Sequence, residues 1–250
     1  MRRYVISAPR SGLNWLRFCA LRFYGERTPD MPKIFANTVP SENQYIRSHD
    51  PLGASGHKSH AFFRVNPAET HGAIMLILRD PLETFVRDAK QRFERFALYP
   101  ANIRFLSDSP AEHKAVFYYE DIVKDPATML RALEFLHVET APDIEKPTVE
   151  YMTAEWETAA KESRAEYDNR QAKAGGSHTK DRPHDFAFHQ RELSDWKKRR
   201  VWRYLKRKLT ADEFRLLDRY DPNPGYFFGL FGRFYRRAGR IEQEAVEASS

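Results

Sequence analysis

Six consecutive apolar residues, "AIMLIL" at 73–78, constrain this chain more than any other feature. A strand that is apolar at every position has to be covered on both faces, as in parallel sheets flanked by helices. Directly after it stand Arg79, Asp80, Pro81, Leu82 and Glu83. Asp80 suits a helix N-cap, Pro81 the first helical position, and Glu83 the return partner of a capping box. Apolar residues at 82, 85, 86, 89, 93, 96 and 97 then predict one continuous helical stripe.

The same order occurs twice more. "YVIS" (4–7) reads as a buried strand, "APRSG" (8–12) as a turn, and 13–24 as a helix with apolar residues at 13, 16, 20 and 23. Further on, "AVFYY" (115–119) reads as a strand, and Asp125-Pro126 opens a helix through Leu136. A short strand at 45–48 ends at His49-Asp50-Pro51. Three strand–turn–helix units predict an α/β fold, a central parallel sheet with right-handed crossovers and flanking helices. Ligands of such sheets sit beyond the carboxyl ends of the strands. Arg10, His49, Arg79 and Glu120 all fall at predicted strand ends, which points to one composite site.

After residue 145 the character changes. A charged amphipathic helix is expected over 148–172, with Met152 and Trp156, then a Gly-, His- and Lys-rich loop at 173–190. Two helices follow (191–208 and 211–220), giving a helical C-terminal part. The expected organisation is a domain over 1–224 and an aromatic, basic tail over 225–250. The basic run 197–208 reads as a solvated face or as the rim of a site for an anionic acceptor. The tail reads as packed on the domain, as a membrane-surface contact, or as a homodimer contact.

A net charge of +6 favours anionic ligands without choosing among them. Cys19 is the single cysteine, so no intrachain disulfide forms, and a reducing compartment is expected. No run approaches the ~20 apolar residues of a membrane span. A cytoplasmic protein is the expectation.

The turn at 8–12 carries the chemistry. Backbone N–H groups from Ser11 to Asn14 would open a helix, where partial positive charge favours a phosphate, and Arg10 adds a fixed cation. The two-glycine, Gly-Lys-Ser/Thr spacing of a triphosphate-binding loop is missing.

"SAPRSGLNWLR" resembles the 5′-phosphosulfate loop of the sulfotransferases that use 3′-phosphoadenosine 5′-phosphosulfate (PAPS), commonly Tyr-Pro-Lys-Ser-Gly-Thr-Thr-Trp. "LILRDPLETFVR" is similar to that family's 3′-phosphate motif, and "FYYEDIVKDPATMLRALEFL" to its Tyr-Glu-Asp-Leu segment. Weaker echoes are Met152 and Asp195-Trp196-Lys197. The resemblance implies a P-loop-like sulfotransferase architecture with PAPS as co-substrate and no metal. The partner would be a small-molecule or glycan acceptor rather than a specific nucleic acid. A donor with a 5′-phosphosulfate and a separate 3′-phosphate needs two anion sites, which a short loop and a second strand-end arginine could supply.

By position, the resemblance gives Arg10 the place of the family's lysine, at the bridging oxygen. Ser11, Gly12, Leu13 and Asn14 would bind the 5′-phosphate, Trp15 would lie against the adenine, Arg79 would bind the 3′-phosphate, and Tyr119 would approach the adenine edge. Several positions depart from the pattern. Leu13 and Asn14 replace two threonines, and Arg87 stands where a serine is expected, two turns beyond Arg79 on the same helix face. Arg87 could hold the 3′-phosphate or be a solvated charge. Arg191 or Lys173 could stand in for the missing Arg-Lys-Gly signature. The acceptor's proton needs a base, in the family a histidine after a strand. His49 in "RSH" and His60 in "KSH" compete for that role. His49 is preferred because it ends a plausible strand, whereas His60 is the closer literal match. Acceptor contacts are expected from loops at 25–72, 100–112 and 173–190. The competing classes are a nucleotide or small-molecule kinase and a non-catalytic anion- or nucleic-acid-binding module.

Overall fold

The computed structural model describes residues 3–26, 45–51, 72–88, 91–174 and 193–220. Among these residues four strands form one sheet: β1 (Arg3–Ser7), β2 (Ile46–Ser48), β3 (Ala73–Leu78) and β4 (His113–Tyr118). Their order is β2-β1-β3-β4, and every pairing is parallel. All six residues of β3 are buried, as its unbroken apolar run requires.

Strand alternation divides the core into two layers. Val5, Met75 and Ile77 join the buried cluster built by α1 (Leu13–Tyr24), α5 (Tyr119–Lys124), α6 (Pro126–Phe135) and α7 (Val149–Ala174). Arg22 of α1 donates to Glu155 and Glu162 of α7, both at 3.0 Å. Neighbouring residues Ile6, Ile74 and Leu76 are equally buried and point the other way. On β1 and β3 also packs α4 (Leu98–Asp108).

The chain leaves β1 toward β2 through α1 and leaves β3 toward β4 through α2 (Pro81–Val86), α3 (Phe93–Phe96) and α4. The direction of winding therefore reverses between β1 and β3, and a crevice opens at such a point beyond the strand ends.

Three expectations need correction here. The continuous stripe from 82 to 97 is two helices, because α2 stops at Val86 and Gln91 takes a left-handed φ of 44° before α3 begins. Residues 100–108, expected as a pocket loop, belong to α4. Tyr119 also begins a short helix instead of ending a strand.

A second compact unit begins at Arg191 and includes α8 (Asp195–Lys208), α9 (Ala211–Arg215) and a 3-10 turn over Asp218–Tyr220. Val201, Trp202 and Leu205 form the buried side of α8, while Trp196 on the basic side is 63% exposed. Thr210 and Glu213 cap α9 reciprocally. Among the described residues no helix is long and apolar enough to cross a membrane. The tail at 225–250 lies outside the described residues, as do the expected membrane and dimer contacts.

Candidate active site at the carboxyl edge of the sheet

The loop after β1 is held in a conformation that most side chains avoid. Arg10 has φ 75° and Gly12 φ 88°, both left-handed. Gly12 is also pressed against another element: a Cβ there would stand 2.1 Å from Cδ2 of Tyr119. Gly12 caps α1 and has no side chain to receive the first amides of the helix, so the amides of Leu13 and Asn14 are left for an anion. Ser11 is 1% exposed, and its Oγ has no hydrogen-bond partner among the described residues.

Arg79, at the tip of β3, closes over this loop. Its Nη1 donates to the Arg10 carbonyl at 3.0 Å, and its guanidinium lies 4.0 Å from the Tyr119 ring centroid. Tyr99 of α4 donates its hydroxyl to the Arg79 carbonyl at 2.5 Å. Burial pulls the Arg79 pKa down from its ordinary value. Among the described residues, Nε and Nη2 of Arg79 are buried without a hydrogen bond, and Glu83 stands 3.6 Å from Nη2. A buried guanidinium with two undischarged donors is a strong attractor for a phosphate.

Glu83 is fully buried and accepts from Arg87 Nε at 2.7 Å. It does not close a capping box on Asp80. A carboxylate taken out of water needs cations more than a helix needs its second cap bond. That vacant cap role is filled from elsewhere, since the Asp80 amide donates to Glu120 at 3.0 Å. The side chain of Arg87 is 9% exposed, so it is not a solvated helix charge; it ends α2 beside Glu83. Arg79, Glu83 and Arg87 together carry one net positive charge.

His49 follows β2, the neighbour of β1 on the other side. Its Nδ1 donates to the carbonyl of Ser7 at 2.7 Å, and Asn102 of α4 donates to the His49 carbonyl at 3.0 Å. Because a carbonyl can only accept, the neutral ring carries its proton on Nδ1 and its lone pair on Nε2. Ser7 immediately precedes the anion-binding loop, so that loop and the imidazole share one anchor.

Trp15 is 2% exposed, stacked on Phe18 and edge-on to Trp156, with Nε1 donating to the Ile122 carbonyl at 3.1 Å. Its faces belong to the core, and a base could reach only its rim. Tyr119, 5% exposed, forms a floor under Arg79 and against Gly12. Arg10, Ser11, Gly12, Arg79, Arg87 and Tyr119 are thus connected, with His49 tied to them through Ser7. His60, Arg191 and the side chain of Lys173 lie outside the described residues. Sequence reasoning missed Tyr99, Asn102 and Glu83 as supports. An apolar stripe carries no signal for a long-range hydrogen bond.

Asp80 gives a pH prediction. Its carboxylate accepts from the amides of Leu82 and Glu83, yet burial outweighs these bonds and pushes its pKa up to about 6. Folding therefore favours the protonated acid. That contribution is complete below the unfolded value near 4 and is lost as pH rises through 6. Asp80→Asn keeps a capping oxygen without the titration. It is expected to gain on the wild type by roughly 3 kcal/mol between pH 4 and 7, measured by denaturant unfolding. A stability difference that stays flat across that range would contradict the assignment.

No family model and no curated protein matches this chain in sequence. Solved structures do match. Retinol dehydratase in complex with retinol and PAP is similar over 84% of this chain and 82% of its own, with TM-score 0.50 and 14% sequence identity. At that identity the likeness is one of fold. The expected α/β architecture, a central parallel sheet flanked by helices, is the one observed, and it is the fold shared with this neighbour.

Proposed function

We propose that this chain is a PAPS-dependent sulfotransferase acting on a small-molecule acceptor. The observation that carries the reading is the pairing of two anion sites at adjacent strand tips. One is the uncapped start of α1 with buried Ser11 Oγ; the other is Arg79, whose Nη1 donates to Arg10 O at 3.0 Å. A nucleotide with phosphates at both ends of its ribose matches that pair better than a triphosphate does. Support also comes from the fold neighbour, which was solved with PAP, the product that PAPS leaves after transfer.

PAPS supplies a sulfuryl group bonded through oxygen to a good leaving phosphate. In this reading the amides of Gly12, Leu13 and Asn14 with Ser11 Oγ hold the 5′-phosphate. Arg79, steadied by Glu83 and Tyr119, holds the 3′-phosphate, with Arg87 adjacent. Arg10 stabilises the charge that grows on the departing phosphate. The lone pair on His49 Nε2 takes the acceptor's proton as its oxygen forms the new S–O bond and the old one breaks. Ser7 keeps the ring in the tautomer that this step needs.

Incubation with PAPS and a mixed pool of phenols, alcohols and amines should release PAP with one sulfated product per turnover. Phosphoryl transfer from ATP with a magnesium requirement, and no consumption of PAPS, would overturn the reading in favour of a kinase.

A further inference from the structure

The excess positive charge of this chain sits on one helix. Eight lysines and arginines and a single carboxylate, Asp195, occur in α8, whereas the whole chain nets +6. The rest of the sequence is therefore close to neutral in sum. Asp195 stands 3.6 Å from Lys198, within the same helix.

Those cations are sorted by face. Val201, Trp202 and Leu205 form the buried side, with Trp202 packed against Phe214 at 6.1 Å between ring centroids. With about 3.6 residues per turn, Trp196, Arg200, Arg203 and Arg207 line up on the opposite side, and all four are exposed. The line runs for roughly 16 Å, at about 1.5 Å per residue. Trp196 closes one end of it, and the Arg200 guanidinium lies 5.1 Å from the indole centroid.

Shape, charge and the aromatic end together define what this face fits. It is the convex side of a helix whose apolar side is already occupied, so the helix lies on a partner rather than burying itself in one. A single-stranded polyanion is held in a groove, and a convex ridge offers none. A plane of anionic headgroups can meet every cation of the ridge at once. An indole, apolar in body and polar at its N–H, suits the boundary between headgroups and acyl chains. The sequence that follows fits the same partner, since residues 226–240 hold six aromatic residues, four arginines and no carboxylate. Aromatic rings interleaved with arginines are the composition of a segment that lies in a lipid interface. We infer that the outer face of α8 docks this protein on an anionic lipid surface as a peripheral contact.

This inference is independent of the sulfotransferase reading, and its test needs no turnover. The full chain is co-sedimented with vesicles of phosphatidylcholine alone and of an equimolar mixture with phosphatidylserine. Binding is expected only with the mixture, and it should fall steeply as salt rises from about 0.1 M to about 1 M. One cation near an anionic leaflet strengthens binding roughly fivefold, so Arg200→Gln, Arg203→Gln and Arg207→Gln combined should weaken it on the order of a hundredfold. The same charge removed from Arg104, Lys124 and Lys161, exposed cations of the first unit, should leave binding nearly unchanged. Trp15 and Trp202 are buried and Trp156 is half-buried, so a blue shift of tryptophan emission on adding the mixed vesicles should report Trp196 and vanish in Trp196→Phe. No binding to the mixed vesicles, or equal binding to neutral ones, overturns the inference. So does an α8 triple variant that binds like the wild type, or an equal loss in both triple variants. Tight binding of a random duplex oligonucleotide with none to vesicles also overturns it, and assigns the face to nucleic acid.

Discussion

Replacing His49 by alanine is expected to lower kcat for sulfuryl transfer by roughly 10²–10⁴-fold, the usual worth of a positioned general base. The expectation follows from the ring's anchoring. Nδ1 donates to Ser7 O at 2.7 Å, so the neutral side chain presents its basic nitrogen at Nε2. The main chain on either side is fixed as well: Asn102 donates to the His49 carbonyl, and the Asp50 amide donates to Ser48 Oγ at 3.1 Å. The loss should fall on kcat rather than on the KM for either substrate. His60→Ala is the necessary comparison. A large loss in His60→Ala with a small one in His49→Ala would move the base to residue 60.

Gly12→Ala should cost about 3 kcal/mol or more. Two penalties combine, since φ is 88° and the added methyl would meet Tyr119 Cδ2 at 2.1 Å and Cε2 at 2.4 Å. For a chain of this length that loss corresponds to a fall in Tm of roughly 6–12 °C. Tyr119 cannot simply swing aside, because it is buried and lies beneath the Arg79 guanidinium. Tyr119→Ala in the same chain removes the collision but not the backbone strain, so the double variant should recover part of the loss. Strict additivity of the two substitutions would show that the collision is relieved some other way.

The strands and their following turns were legible because their signals are local. The run 73–78 is apolar at every position, and all of it is buried. Asp80-Pro81 and Asp125-Pro126 both open helices with the aspartate accepting two amides. The break after Val86 was not legible, since Phe93 and Phe96 continue the helical spacing although the backbone turns at Gln91. Periodicity records which residues are apolar and is silent about a change of axis between them. The site divided in the same way. That Arg10, Arg79 and His49 stand at strand ends was legible; that those strands are neighbours in the order β2-β1-β3 was not. Glu120, which takes over the cap of α2, depends on a contact between segments 40 residues apart, whereas Glu83 gathers Arg79 and Arg87 from one turn on either side, a local spacing that does not announce the burial of all three side chains. Trp15, the motif position expected to lie against a base, also stacks on Phe18 and stands edge-on to Trp156, core contacts that its place in the motif does not announce.

On the proposed reading, one adenosine nucleotide is gripped by the loop after β1 and by Arg79 at once. A calorimetric titration of the wild type and Arg79→Ala with PAP, AMP and ATP tests it most directly. PAP is expected to bind the wild type at least tenfold more tightly than AMP or ATP, and Arg79→Ala to reduce PAP to the affinity of AMP. Equal affinity for PAP and AMP in the wild type, or an advantage for PAP that persists without Arg79, would contradict it.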